Sequence, residues 1–173
     1  MIKLVVFLGN PGKEYEKTRH NAGYLFFDYL FKRKPTQNKF HSIYYQENDV
    51  KYIKPLTFMN LSGTSVAECA SFFKIKSDEI MVVHDCIELN SGEIRVQKGG
   101  GLAGHKGLRN IKERLGDDSF YRLRIGIGRP KYGDVRLFVT SPFTEDELIS
   151  LNQLFSLVEP CFLKCKGNEK WKL

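Results

Sequence analysis

Two residues give the first suggestion of chemistry. His20 lies in Thr18-Arg19-His20-Asn21, shortly after the apolar run Leu4-Val5-Val6-Phe7-Leu8 and the loop Gly9-Asn10-Pro11-Gly12, and Asp85 follows Val82-Val83-His84 at the end of a second apolar run. An imidazole at a helix start is kept neutral by the positive end of the helix dipole, which is the state a general base requires. A carboxylate at a strand end can hydrogen-bond the second ring nitrogen of such a histidine, fixing its tautomer and raising its basicity. In open α/β sheets ligands bind at the carboxyl ends of strands, so both residues would border a cleft. Taken singly, each also has a structural reading: a loop histidine that is solvated, and an aspartate that caps a turn.

Two asparagines extend the set. Asn10 precedes Pro11, which favours an extended backbone, and Gly9 and Gly12 permit tight bends, so its amide would be displayed. Asn60, in Thr57-Phe58-Met59-Asn60-Leu61-Ser62-Gly63, precedes a helix and reads equally as an N-cap or as a substrate-facing amide. The run Gly99-Gly100-Gly101-Leu102-Ala103-Gly104-His105-Lys106-Gly107 could present backbone N–H groups to a phosphate, but it has the spacing of neither a nucleotide P-loop nor a dinucleotide site. Lys106, Arg109 and Lys112 would share one helix face, with Lys98, Arg122 and Arg124 nearby in sequence; a charged face is ordinarily just solvated. His41 and His84 have no evident partners and receive no role.

The elements that must position these groups follow from periodicity. After the first strand, Asn21 to Lys34 carries Tyr24, Phe27, Leu30 and Phe31 at helical spacing and closes on Lys32-Arg33-Lys34 before Pro35. His41 to Gln46 and Val50 to Lys54 flank Glu47-Asn48-Asp49 and predict a hairpin ended by Pro55. Ser62 to Lys74 predicts a helix, Ile80 to His84 a buried strand, Glu93 to Gln97 a strand, Gly104 to Leu115 a helix and Tyr121 to Ile127 a strand. Thr144-Glu145-Asp146-Glu147 has the pattern of a capping box, opening a helix with Leu148, Leu151, Leu154, Phe155 and Val158. Alternating strands and helices predict an α/β fold, a twisted mixed sheet flanked by α-helices.

A chain of 173 residues can bury one core of ordinary size, so one domain over residues 1–173 is expected. No apolar run approaches the roughly 18 residues of a membrane span. The N-terminus enters a core strand rather than a signal sequence. The four cysteines, Cys69, Cys86, Cys161 and Cys165, show no Cys-x-x-Cys pair and no zinc-finger spacing. A soluble cytoplasmic protein with reduced thiols and no structural zinc is expected. The net charge of +7 favours a polyanionic partner, nucleic acid among them.

The order of motifs carries a resemblance. Gly9-Asn10-Pro11-Gly12, Tyr15, Thr18 to Gly23, Phe58 to Gly63, His84-Asp85, Gly99-Gly100-Gly101 with Gly104-His105, and Arg122 to Gly128 resemble, over nearly the whole chain, the bacterial-type peptidyl-tRNA hydrolase family. The resemblance implies cleavage of the ester between peptide and tRNA by a monomeric α/β domain, with no cofactor, no metal and no obligate protein partner. By position it implies His20 as the base that activates water and Asp85 as its orienting acid. Asn10 and Asn60 would contact the ester and the water, with Met59 and Tyr15 lining the cleft for the peptide and the 3′ end. The chain departs from the family pattern in places. Lys106 stands where the family has an asparagine contacting substrate. Gln97 stands where a lysine is thought to hold the tRNA 5′-phosphate together with the arginine matching Arg124, and Lys98 is the next residue. Cys86 replaces a second acid. Family members commonly extend beyond the equivalent of Glu169 to Leu173, so either a short tail or a reduced lid facing the acceptor stem is expected. An RNA-binding relative that kept the fold and lost the chemistry is the alternative reading, and the joint presence of His20, Asp85, Asn10 and Asn60 favours hydrolysis.

Overall fold

The structure is a computed structural model describing residues 1–173. Its centre is built from the most apolar runs of the sequence. Strands β1 (Leu4–Phe7) and β5 (Ile80–Cys86) are buried along their whole length, as strands covered on both faces by helices must be. β1 lies between β4 (Val50–Pro55) and β5 and is parallel to both, and β5 is parallel in turn to β7 (Tyr121–Gly126). The outer strands are antiparallel: β2 (Gln37–Lys39), β3 (Ser42–Glu47), β6 (Glu93–Lys98) and β8 (Lys170–Lys172) complete an eight-stranded sheet in the order β2-β3-β4-β1-β5-β7-β6-β8.

Side-chain alternation divides the core between the two faces of this sheet. Val5, Phe7, Met81, Val83, Leu123 and Ile125 pack under helices α1 (Ala22–Phe31) and α5 (Glu145–Val158), where Phe26 stacks on Phe155 with ring centroids 4.7 Å apart. Leu4, Val6, Leu8, Ile80 and Val82 face α2 (Ser62–Phe73) and α3 (Lys106–Leu115). These two helices approach closely at Gly63, where a Cβ would stand 2.5 Å from the Asn110 carbonyl oxygen, and Asn110 Oδ1 accepts a 2.7 Å hydrogen bond from Gly63 N. A short helix, α4 (Val135–Val139), follows β7.

The chain runs from β1 through α1, β2 and β3 to β4 on one side of β1, then through α2 to β5 on the other side. That reversal opens a crevice at the carboxyl ends of the parallel strands, where the segments carrying Asn10 and Asn60 and the end of β5 with Asp85 all lie.

The expected elements are present with shifted ends. The first helix stops at Phe31, and Lys32 to Lys34 turn out of it ahead of Pro35. The second ends at Phe73 because Lys74 takes a left-handed conformation, φ 56°. The third begins at Lys106, with His105 as its cap. β5 continues past His84 to Cys86, so Asp85 is within the strand rather than beyond it. The strands β2 and β8 and the helix α4 were not foreseen; β8 sets Trp171 opposite Ile94 on the edge of β6. No helix is long and apolar enough to cross a membrane.

Candidate active site

The loop after β1 is fixed by an amide lock. Asn10 N donates to Asn21 Oδ1 at 2.8 Å, and Asn21 Nδ2 donates back to the Asn10 carbonyl at 3.0 Å. Asn10 Oδ1 accepts from Met59 N at 2.7 Å, tying this loop to the segment before α2. With its oxygen so engaged, Asn10 has the Nδ2 hydrogens left to offer a ligand in the adjoining cavity, which it lines.

His20 sits in a tight turn, Arg19–Asn21, ahead of α1. Arg19 anchors that turn: its guanidinium donates to Ser141 Oγ, the Pro142 carbonyl and Glu147 Oε1, each at 2.7 Å, and lies 4.6 Å from the centroid of the Phe138 ring. His20 Nδ1 is 2.8 Å from Asp85 Oδ2, and His105 Nε2 is 2.8 Å from Asp85 Oδ1. Asp85 is 2% exposed, so this carboxylate serves the two rings and no solvent.

The hydrogen bonds assign the tautomers. His105 Nδ1 accepts from the backbone N–H groups of Gly107 (3.1 Å) and Leu108 (3.3 Å), capping α3, so the ring's proton is on Nε2 and is donated to Asp85. His20 Nδ1 likewise donates to a carboxylate that can only accept, which leaves the lone pair of Nε2 free. His20, Asp85 and His105 offer ligand atoms within 4.8 Å of one another, a spacing compatible with a divalent ion. The helix cap and both Asp85 contacts already commit those atoms, so the donor set does not fit a metal without breaking the cap.

Charges follow the same geometry. Burial works against the His20 imidazolium, but the field and hydrogen bond of Asp85 outweigh it, and the His20 pKa is raised above its ordinary 6.5; the Lys106 charge pulls the other way. The lowering anticipated from a helix dipole is thus overturned: His20 precedes the helix proper, and a full carboxylate charge at 2.8 Å exceeds the half-charge of a helix end. Burial alone would raise the Asp85 carboxyl; its two imidazole partners hold it well below the usual carboxylate range. His84 is driven far down by burial and by neighbouring His105, its Nδ1 bonding the Asp85 carbonyl oxygen at 2.7 Å.

A cavity of about 740 Å³ lies over this cluster. Of the residues singled out from sequence, Asn10, His20, Met59, Asn60, Asp85, Lys106 and Arg124 line it. Tyr15 does not; its ring packs edge-on against Phe58, 6.4 Å between centroids, and Phe58 forms the wall. Lys98 does not line it either. Its ammonium lies 5.5 Å from the Tyr121 ring centroid and its Cβ faces Gly167, whereas its neighbour Gln97 faces the cavity and accepts from Arg124 Nη1 at 3.0 Å. Neighbouring strand residues point to opposite faces, so Lys98 is not brought together with Arg124.

The glycine-rich run is held differently from the expectation of a phosphate cradle. Arg122, 3% exposed, donates to the carbonyls of Gly101 at 2.5 Å and Gly99 at 2.6 Å, and the amides at the start of α3 are taken by His105. Gly100 has φ 94°, and a Cβ there would meet Gln97 Nε2 at 2.0 Å. Sequence reasoning assigned no role in the site to His105, Asn21, Arg122 or Arg136, of which all but Asn21 line the cavity. His105 had a usable signal, its place directly before a helix start, and Arg122 shares the strand parity of Arg124. Asn21 carried no distinguishing signal.

Comparison with known proteins agrees with this arrangement. Residues 4–169 match the family described as peptidyl-tRNA hydrolase. The peptidyl-tRNA hydrolase of Coxiella burnetii is 46% identical over 155 residues, spanning 87% of this chain and 83% of its own. That of Geotalea uraniireducens is 42% identical over 160 residues, spanning 88% and 84%. The crystal structure of peptidyl-tRNA hydrolase from Acinetobacter baumannii superposes with a TM-score of 0.83 at 38% identity, covering 90% of this chain and 83% of that one. The chain belongs to the peptidyl-tRNA hydrolase family of enzymes.

Proposed function

We propose that the chain cleaves the ester between peptide and tRNA by water activated at His20, without a covalent intermediate. The observation that carries this reading is the 2.8 Å contact of His20 Nδ1 with Asp85, which leaves Nε2 as a free base at a cavity also lined by Asn10 and Asn60. In the reaction, Nε2 takes a proton from water as the oxygen attacks the ester carbonyl carbon. The tetrahedral intermediate then expels the ribose oxygen, which receives that proton from the imidazolium. The products are tRNA with a free ribose hydroxyl and a peptide carboxylic acid, which releases its remaining proton to solvent to become the carboxylate.

Asp85 orients His20 and compensates the imidazolium that forms. Asn10 Nδ2 and the Asn60 amide hold the ester and the attacking water, and Met59 and Phe58, with Tyr15 behind it, border the path of the peptide and the 3′ end. Arg124 contacts a phosphate of the acceptor stem. The net charge of +7 supports a polyanionic substrate. No metal or cofactor is required by this sequence of steps, and a monomer working in the cytoplasm is the simplest setting for it.

Release of label from an N-blocked aminoacyl-tRNA tests the reading. The wild-type chain should turn over, and His20→Ala should lower the rate about 10²- to 10⁴-fold. Binding of the tRNA without release, or an unchanged rate in His20→Ala, would sink it; the first outcome would leave an RNA-binding protein on this fold.

A further inference from the structure

Lys106 is the first residue of α3, directly after the cap residue His105, whose ring is bonded to Asp85. Its backbone is therefore anchored to the same carboxylate that orients His20. Its side chain lines the cavity and has no carboxylate within 4.0 Å and no hydrogen-bond acceptor. The neighbouring guanidiniums are engaged: Arg122 with the Gly99 and Gly101 carbonyls, Arg124 with Gln97. Lys106 thus brings an uncommitted positive charge to the wall occupied by His20, and its field is felt at the imidazole.

A cation in this place has two opposite consequences. It repels the imidazolium that forms when His20 takes its proton. Lys106 is exposed, and its ammonium attracts the negative charge that appears on the ester oxygen in the same step; positive charge beside a developing oxyanion contributes to acyl-transfer catalysis. The second effect outweighs the first when the ammonium is nearer the oxyanion than the ring, and a four-carbon stem without a protein partner can reach toward a substrate carbonyl held by Asn10.

We infer that Lys106 is a catalytic electrophile of this enzyme, its ammonium stabilising the tetrahedral oxyanion of the peptidyl ester rather than only gripping a tRNA phosphate. The inference rests on the hydrolytic reading of the site. The groups that face His20 from packed elements are Asp85 on β5, His105 and Lys106 at the head of α3, and Arg136 of α4 across the cavity; Arg19 beside it is neutralised by Glu147.

Single-turnover hydrolysis of N-blocked aminoacyl-tRNA at saturating enzyme separates chemistry from binding. Lys106→Met should lower the plateau rate about 10²- to 10³-fold, the loss expected for an oxyanion donor. The acid limb of its pH profile should move to higher pH, since a charge opposing His20 protonation has been removed. Lys106→Arg should keep the limb near its wild-type position and recover part of the rate. If Lys106→Met instead keeps the plateau, needs more enzyme to saturate, and loses roughly 0.7 to 0.9 from the log–log salt slope, Lys106 is a phosphate contact and the inference is overturned. An unshifted acid limb with an unchanged plateau overturns it equally. Failure of the hydrolytic reading would appear separately, as an inactive wild-type chain or an active His20→Ala variant.

Discussion

His20 and His105 stand with ring centroids 5.1 Å apart, planes tilted by 50°, one on each oxygen of Asp85. The two rings are bonded to one carboxylate through different nitrogens. His20 uses Nδ1 and keeps Nε2 open; His105 uses Nε2 and spends Nδ1 on the first amides of α3. One ring is therefore free to exchange a proton while the other is closed on both sides. The carboxylate couples the turn before α1 to the start of α3 across the end of β5, so the candidate base and the helix bearing Lys106 share a single fixed point.

Replacing Asp85 with Asn tests the coupling through the pH profile. In the wild-type chain the charge and hydrogen bond of Asp85 raise the His20 pKa against the lowering by burial. A base is active when deprotonated, so activity should fall below an apparent pKa lying above 6.5. Asp85→Asn leaves burial and Lys106 unopposed, so the acid limb should move to lower pH while the plateau rate falls about 10²- to 10⁴-fold through loss of tautomer control. The shift is opposite in sign to that expected for Lys106→Met. An Asp85→Asn limb that stays in place would show that Asp85 does not govern His20.

His105→Ala removes two things at once, the cap of α3 and one partner of a buried carboxylate. Loss of a cap costs about 1 kcal/mol and an unsatisfied buried group about 1 to 3 kcal/mol, so a clear drop in denaturant midpoint is expected, with slower turnover as Asp85 loosens. His105→Asn, whose side-chain oxygen can cap and whose amide can donate, should recover most of the stability. If His105→Ala melted like the wild type, the ring would not be holding α3.

What the sequence made legible divides along physical lines. Continuous apolar runs identify β1 and β5 because parallel central strands bury both faces, and the Thr144–Glu147 capping box marks the start of α5 through bonds local to a single turn. His20, Asp85, Asn10 and Asn60 could be proposed as a group because Asn10 and Asp85 follow or end predicted strands, His20 and Asn60 precede predicted helices, and the order of motifs resembles one family. The short elements β2, α4 and β8 were not legible, since runs of three to five residues are too short to show a period and their conformation is set by a neighbour. Lys98 shows a sharper limit: a cation one residue from the cavity-facing position points away, and only the pairing of β6 with β7 assigns the parity. The role of His105 depends on where α3 docks, which is a property of packing rather than of the local sequence.

That parity gives a paired prediction for RNA contacts. Arg124→Gln should weaken binding and reduce the log–log salt slope by about 0.7 to 0.9, one phosphate contact's worth. Lys98→Gln, on the other side of the strand against Tyr121, should leave the slope near its wild-type value. Equal effects from the two variants, read from binding titrations across a range of salt, would contradict the division of the two faces.

The asparagines of the cavity should separate activity from stability. Asn60 is exposed and its side chain makes no hydrogen bond within the protein, so Asn60→Ala should change stability by no more than about 0.5 kcal/mol while lowering kcat/KM, because its amide is free for substrate. Asn21 is 1% exposed and holds both the N–H and the carbonyl of Asn10. Asn21→Ala strands those two groups in a buried setting at about 1 to 3 kcal/mol each, an upper range that water entering the cavity would reduce. It should also slow turnover, since Asn10 would no longer be held in register with Met59. Denaturant unfolding beside steady-state kinetics distinguishes the two: a destabilised Asn60→Ala would mean that Asn60 is a structural residue, and an Asn21→Ala variant of wild-type stability would mean that the Asn10 loop is held by Met59 alone.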